Sequence, residues 1–231
     1  MEKMLMCLKD LAEEMGPASL EQNIDLVISS LELFLEKATF CQNRKMAAES
    51  DGEGEDEEEN SEGEDSEDMD HDEIILGNTT DVIIALSAAF GDSFLPYFNK
   101  LAPKIAKYME DDHGKSDKIM AIGCLAEVFN NCPAAAAAPY FDPFMQVLIK
   151  HSVTEDGSMN RNVSYGFGVF ADKAPVELFA PHLNTVMTCI KNMHTASQEA
   201  DAKDNCVATL AKIIEKHQTS LPQDQLQLLF D

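Results

Sequence analysis

Apolar side chains recur along most of the chain at the three- and four-residue spacing of an α-helix. In the first half, this pattern predicts helices over residues 3–15, 19–40 and 72–90. Gly16 and Pro17 end the first helix, and Ser19 is the predicted cap of the second. No segment alternates apolar and polar residues at period two, so we predict no β-strands.

The second half contains a repeat. Pro96, Pro139 and Pro181 lie 43 and 42 residues apart, and an apolar-periodic helix follows each of them. A proline at the start of a helix costs little, because its fixed φ suits the first turn and no N–H is needed there. Each of these helices is followed by a short polar loop and a second helix. The second helices carry small residues that suit close helix–helix contact: Gly123, Gly166, Gly168 and Ala208.

A helix pair that recurs about every 40 to 47 residues is typical of HEAT and armadillo arrays, since one pair cannot bury its apolar face alone. The sequence therefore predicts an all-α HEAT-repeat α-solenoid. This would be a right-handed superhelix of antiparallel helix pairs with a disordered acidic loop inside one repeat. We expect the chain to be a segment of a longer solenoid. The predicted repeats are 1–16 (partial), 19–90 with an acidic insertion over 46–71, 92–132, 137–173, 176–217 and 221–231 (partial).

The acidic insertion concentrates the charge of the chain. Residues 49–73, here called the acidic block, hold 16 of the 42 acidic residues and neither Lys nor Arg, in a chain of net charge -25. A polyanion argues against nucleic acid as a partner, because such surfaces need clustered Lys and Arg. It favours a basic partner, whose encounter it would speed by electrostatic steering. Its composition cannot bury enough apolar surface to fold, so we predict disorder in the unbound protein.

The carboxylates of the block are the first candidate binding residues. The block could also be only a solvated linker, which is the commoner role of a charge run. Ser50 and Ser61 are each followed three residues later by Glu and are candidate sites for an acid-directed kinase. The candidate carboxylates are Asp51, Glu53, Glu55, Asp56, Glu57, Glu58, Glu59, Glu62, Glu64, Asp65, Glu67 and Asp68.

Three more candidates lie early in successive second helices. Asn162 and Asn205 are 43 residues apart, and each amide could grip the main chain of an extended peptide. The alternative is helix capping or a local backbone bond, which is common for Asn near helix starts. Asp204 could pair with a lysine of the same peptide.

No residue pattern indicates catalysis or a cofactor. The six cysteines form no CxxC pair and lie in apolar helical contexts, which argues against a metal site. No Ser/His/Asp or Cys/His arrangement can be argued from spacing, so we predict a binding protein and not an enzyme. We find no apolar run of the roughly 18 to 20 residues that a membrane helix needs, so a membrane is not an expected partner.

Together these features resemble the importin-beta superfamily of nuclear transport receptors, and most closely its branch that imports core histones and ribosomal proteins. The resemblance is carried by the repeat period, the acidic loop and three stretches: GDSFLPYFNKLAPKI at 91–105, RNVSYGFGVFAD at 161–172 and DNCVATLAKII at 204–214.

The resemblance implies a central segment of a receptor that shuttles between cytoplasm and nucleus through nuclear pores. Basic cargo would bind the concave surface lined by second helices, and the acidic loop would contact cargo or Ran. Ran with GTP bound would release the cargo, and Phe-Gly nucleoporins would bind the first helices on the convex surface.

Two other functions remain open at this point. One is a HEAT scaffold outside transport, such as a phosphatase or translation-machinery scaffold. The other is a histone chaperone that works through the acidic block alone.

Overall fold

The computed structural model describes residues 1–39, 42 and 61–221, with the backbone alone for 61–70 and 137. Throughout these residues the regular structure is helical, so the predicted all-α fold is confirmed. The chain divides into two compact units. Unit 1 comprises Met1–Phe90 with Pro96–Ala121, and unit 2 comprises Gly91–Leu95 with Ile122–Asp231.

The helices alternate along the chain as first and second members of helix pairs. The first helices are α2, α4, α6 and α8. Their respective second helices are α3, α5, α7 and α9, and α1 precedes the first pair. Their bounds are α1 Glu2–Met15, α2 Ile24–Leu35, α3 Ser61–Phe90, α4 Leu95–Lys107, α5 Lys115–Asn131, α6 Phe141–His151, α7 Gly157–Lys173, α8 Leu183–Ala196 and α9 Ala200–His217. Short 3₁₀ segments and one helical turn join them: Pro17–Ser19, Glu21–Asn23, Gly91–Phe94, Pro133–Ala137, Val176–Phe179, Ala180–His182 and Gln218–Ser220.

Helix α2 is shorter than the sequence predicts. Two 3₁₀ turns occupy the predicted first turns, and the α-helix begins only at Ile24. Ser19 is therefore not its cap. The Ser19 hydroxyl donates instead to the carbonyls of Gly16 and Leu11, at 2.8 and 3.2 Å. A serine hydroxyl competes well for nearby backbone carbonyls, which here closes the turn after α1.

Helix α3 begins earlier than predicted. It starts at Ser61 and not at Asp72, so residues 61–71 of the acidic block are helical where the sequence predicts disorder. Two effects favour this extension, because glutamate is a good helix former and negative charge is stabilised near a helix N-terminus. The remainder of the predicted insertion, at 46–60, lies outside the described residues.

In unit 1, α1 packs along α3. The apolar face predicted for α1 is the buried one, since Leu5 and Ala12 are nearly inaccessible. They face the core of α3, which buries β-branched and leucine side chains at helical spacing. These are Ile75, Leu76, Val82, Ile83 and Leu86.

In unit 2, the core is aromatic. Phe170 of α7 lies at the centre, with ring centroids 4.6, 5.0 and 5.6 Å from those of Phe141, Phe129 and Phe144. These four rings come from α5, α6 and α7 and are almost fully buried. Tilted and edge-on pairs at this spacing add about 0.5 to 1.5 kcal/mol each beyond their burial. The cluster therefore fixes how one first helix packs between two second helices.

One segment, His71–Lys107, is long and apolar enough to cross a membrane by the criteria of length and hydropathy. The expectation that no segment would reach this length was thus too strict. Half of its most apolar window is buried within the protein, as in the core helix of a helical repeat. Burial by neighbouring helices already accounts for its apolar character.

Candidate functional site

The second helices of unit 2 lie side by side and run parallel. Residues 161, 164 and 171 of α7 bond to residues 205, 209 and 217 of α9, so both numbers rise together. Helix α5 meets α7 in the same sense, with Gly123 against Asn162 and Glu127 bonded to Tyr165. Equivalent helices of successive pairs therefore stack in one direction, and their polar side chains come together in rows.

Three polar side chains of α9 bond to backbone carbonyls of α7. The Asn205 amide donates to Arg161 O at 3.1 Å, and the Thr209 hydroxyl donates to Ser164 O at 2.7 Å. The His217 Nε2–H donates to Ala171 O at 2.8 Å. We call these bonds the three rungs. Each is directional, so together they fix the register of the two helices.

Glycine allows the middle rung to form. Gly168 lies against Thr209, and a Cβ atom at position 168 would come within 2.6 Å of the Thr209 hydroxyl. Gly123 of α5 has the same relation to α7, since a Cβ there would lie 2.9 Å from the Asn162 amide nitrogen. The predicted close-packing role of these two glycines is therefore confirmed. Ala208, grouped with them in the prediction, is instead exposed.

The last rung satisfies a carbonyl that its own helix cannot satisfy. Ala171 lies in the final turn of α7, and the residue four positions later is Pro175, which has no N–H. His217 is fully buried against the ring of Phe179, with centroids 4.6 Å apart, and supplies the missing donor. The next helix pair thus caps the end of α7.

A different contact joins α5 and α7. The Tyr165 hydroxyl donates to Glu127 Oε2 at 3.0 Å, and both side chains are half-buried. Burial, together with the adjacent carboxylate charge, raises the pKa of Tyr165 well above its usual value. The phenol therefore remains a neutral hydrogen-bond donor to Glu127 through the whole physiological range.

The three candidate binding residues of the second helices lie close to the contacts of α5 with α7 and of α7 with α9. Asn162 is half-buried beside Gly123, while Asp204 is exposed on α9 next to the Asn205 rung. Neither asparagine caps a helix, because Asp156 and Glu199 hold the N-cap positions of α7 and α9. Asn205 thus makes a backbone bond to a neighbouring helix, and a role in gripping peptide stays a prediction for both asparagines.

The candidates of the acidic block fall into two groups. Glu62, Glu64, Asp65, Glu67 and Asp68 lie in the first turns of α3, where only the backbone is described, and Ser61 is the first residue of that helix. Another group lies outside the described residues: Ser50, Asp51, Glu53, Glu55, Asp56, Glu57, Glu58 and Glu59.

Unit 1 is joined by ion pairs at its surface, whose side chains are half-buried or exposed. Lys104 of α4 lies between Glu36 and Glu32, with Glu32 at 3.5 Å, and it lowers the pKa of Glu36 by hydrogen bonding and charge. Further pairs are Lys100–Asp25, Lys37–Asp72 and Lys9–Asp81, at 3.5, 3.0 and 3.5 Å. Such exposed pairs contribute little stability individually.

Sequence reasoning missed Glu127, Tyr165, Thr209 and His217. One signal was available for α9, because Asn205, Thr209 and His217 are spaced in multiples of four and therefore share one helix face. No such signal marked Glu127 and Tyr165, since their meeting depends on the stacking of two helices. Among residues with described side chains, no group of three His, Cys, Asp or Glu could hold a metal ion.

Comparison with known proteins places this helical stack in a family. Residues 68–217 match the family model described as importin subunit beta-1-like, TPR repeats, and residues 1–111 match importin repeat 6. The chain is 25% identical over 159 residues to the probable importin subunit beta-4 of Schizosaccharomyces pombe, covering 69% of this chain and 15% of that protein. It is also 25% identical over 160 residues to human importin-4, covering 68% of this chain and 14% of that protein. The first family model alone spans more than half of the chain, and the chain therefore belongs to the importin-beta superfamily.

Proposed function

We propose that this chain is the cargo-binding segment of a nuclear import receptor for basic proteins such as histones and ribosomal proteins. It acts by binding and not by catalysis. The full receptor shuttles between cytoplasm and nucleus, and Ran with GTP bound releases the cargo. The chain corresponds to about a seventh of the length of the two relatives described above, so these activities are proposed for the longer receptor.

The observation that carries the proposal is the position of the acidic block in a chain of this family. In the sequence, residues 49–60 of the block fall between α2 and α3, and residues 61–73 form the start of α3, so the block is an insertion within one helix pair. Insertions within a repeat commonly emerge on the binding face of such proteins. Carboxylates within about 8 Å of one another act together on a polycation at physiological salt.

Two further partners belong to the same proposal. Phe-Gly nucleoporins would bind the first helices, and α2 supports this with Leu26 and Leu33, which are 69% and 48% exposed. Phosphorylation of Ser50 and Ser61 would add negative charge to the block and strengthen its attraction for basic cargo.

A titration of a histone-tail peptide against the intact chain and a variant lacking residues 49–73 tests the proposal. If the chain is a cargo carrier, the deletion should reduce the affinity for the histone-tail peptide only in part. The affinity of the intact chain should fall steeply as the salt concentration rises. If deletion changes nothing, the block is only a linker. If deletion abolishes binding completely, the chain acts as an acidic histone chaperone and the helices add little.

A second experiment separates the carrier from a scaffold outside transport. The intact chain should capture a Phe-Gly repeat peptide, and Leu26→Ser with Leu33→Ser should reduce the capture. Asn162→Ala should weaken histone-tail binding further. Asn205→Ala requires a thermal-unfolding control, because its amide also forms a rung. A chain that binds neither peptide is a scaffold of another kind.

A further inference from the structure

The carboxylate of Glu127 is half-buried and has no cationic partner among the described side chains. Its Oε2 accepts the Tyr165 hydroxyl, and no lysine, arginine or histidine with a described side chain pairs with it. The pair is half-buried on α5 and α7, within unit 2. A charge that is partly removed from water without a counter-ion is destabilising.

Every other half-buried carboxylate with a described side chain has a basic side chain or a backbone N–H as its partner. The partners are Lys104 for Glu32, Lys37 for Asp72, His113 for Asp117, Lys173 for Asp172 and the Met159 N–H for Asp156. Among the half-buried carboxylates with described side chains, Glu127 is therefore the exception, since its partner is a hydroxyl group.

The Glu127–Tyr165 pair lies where α5 and α7 approach each other closely. Gly123 precedes Glu127 by one turn on α5, and Asn162 precedes Tyr165 by one turn on α7. Because Gly123 has no side chain, the Asn162 amide lies against α5 one turn before Glu127. The Glu127–Tyr165 contact thus follows directly on the close approach of α5 and α7.

We propose that Glu127 and Tyr165 form a subsite for a single lysine side chain of the basic cargo, an inference that rests on the proposed function. Tyr165 already donates to Oε2, so Oε1 is the oxygen without a hydrogen bond from a described side chain and the site for the incoming cation. A lysine ammonium is a compact point charge that one oxygen can satisfy. An arginine guanidinium prefers to bind two oxygens in parallel, and here it would have to share Oε2 with the Tyr165 hydroxyl.

The test uses the whole chain and a lysine-rich peptide in which each lysine is replaced in turn by norleucine or arginine. Glu127→Gln should weaken binding of the parent peptide about tenfold, as expected when one partner of a partly buried charge pair is lost. At one peptide position, norleucine should cause no further loss in this variant. Glu177→Gln, which removes an exposed carboxylate from the turn before α8, is the matched control and should leave affinity unchanged.

Tyr165→Phe gives a readout that a merely structural contact would not produce. It frees the second carboxylate oxygen, so the preference for lysine over arginine at that one position should shrink or reverse. The unfolding midpoint of Glu127→Gln should equal or exceed that of the wild type, because an unpaired charge has been removed. A clear drop in that midpoint would instead give Glu127 a structural role and overturn the inference.

The two levels of the proposal fail separately. If the wild-type chain binds no lysine-rich peptide, both the proposed function and this subsite are wrong. If Glu127→Gln and the wild type bind every peptide equally, the import function stands and only the subsite is refuted. The same holds if the effect of Glu127→Gln is spread evenly over all lysine positions.

Discussion

Units 1 and 2 hold their helices together by different polar contacts. In unit 2, α9 reaches α7 through three rungs from side chain to backbone, two of them from the buried residues Thr209 and His217. In unit 1, the polar contacts from α1 to the described side chains of α3 are Lys9–Asp81 and Glu2–His71, at 3.5 and 3.8 Å and largely exposed. Directional buried bonds specify one register, whereas exposed ion pairs tolerate small shifts and weaken in salt.

The contrast shows which contacts specify the register of the helices in each unit. Both units bury continuous apolar faces, so the hydrophobic contribution is common to them. Unit 1 also has one buried bond of the unit 2 kind, from the Tyr108 hydroxyl to Leu35 O at 2.7 Å. That bond joins a first helix to its predecessor. The stacking of α9 on α7 in unit 2 thus includes buried bonds from side chain to backbone, whereas α1 and α3 in unit 1 combine apolar packing with exposed charged contacts.

The largest effect is expected from filling the space of a glycine. Gly168→Leu would force α7 away from α9 and break the Thr209 rung, at a cost of about 3 kcal/mol in unfolding free energy. Gly77→Leu on α3 is the matched change in unit 1. A Cβ there meets only the flexible Met120 sulfur at 3.5 Å, so the cost should be much smaller. Denaturant unfolding measures both, and equal losses would contradict the comparison.

The next effect concerns the cap on α7. His217→Leu keeps apolar volume but leaves the buried Ala171 carbonyl without a donor, which should cost about 2 kcal/mol. His182→Leu is the control, because that histidine pairs with the exposed Asp142 on a neighbouring first helix. Hydrogen exchange of the last turn of α7 should rise in the first variant only. Unchanged exchange there would show that the rung is dispensable.

A smaller loss is expected from the middle rung. Thr209→Val preserves shape and removes the donor to Ser164 O, at a cost of about 1 kcal/mol, because that carbonyl retains its own helical bond. Thr188→Val is matched to it, since Thr188 is exposed and its hydroxyl bonds to a carbonyl of its own helix. Thermal unfolding of the two variants should differ. Equal midpoints would mean that the rung adds no stability.

The smallest effect is expected at the exposed ion pairs of unit 1. The folded pKa of Glu36 is lowered by Lys104, so this contact stabilises above the unfolded value of 4.5 and is lost as pH falls through the folded pKa. Lys104→Met should lower the unfolding midpoint slightly at neutral pH and low salt. The difference from wild type should shrink as pH falls below 4.5 and through the lowered folded pKa of Glu36, and also in high salt. A difference that persists in acid would indicate a packing role for the lysine stem.

The apolar periodicity was enough to predict an all-α fold of helix pairs, because the buried faces follow helical spacing directly. It misplaced the start of α3, where charge and helix propensity outweigh the lack of apolar residues. The rungs could not be predicted from a single helix. Asparagine is a residue type common at protein surfaces, so the sequence did not indicate the helix contacts of Asn205 and Asn162. Those contacts are visible only once a second helix is stacked on the first. Glu127 is unremarkable in sequence, since its missing cation is visible only once its burial and neighbours are known.

The bond from His217 to Ala171 also has a consequence for synthesis on the ribosome. Its two ends are 46 residues apart, so the Ala171 carbonyl is bonded to water until the following helix pair has been synthesised. At about 5 to 20 residues per second, that interval lasts roughly 2 to 9 s. The C-terminal end of α7 therefore gains its protein hydrogen bond only after α9 has been made.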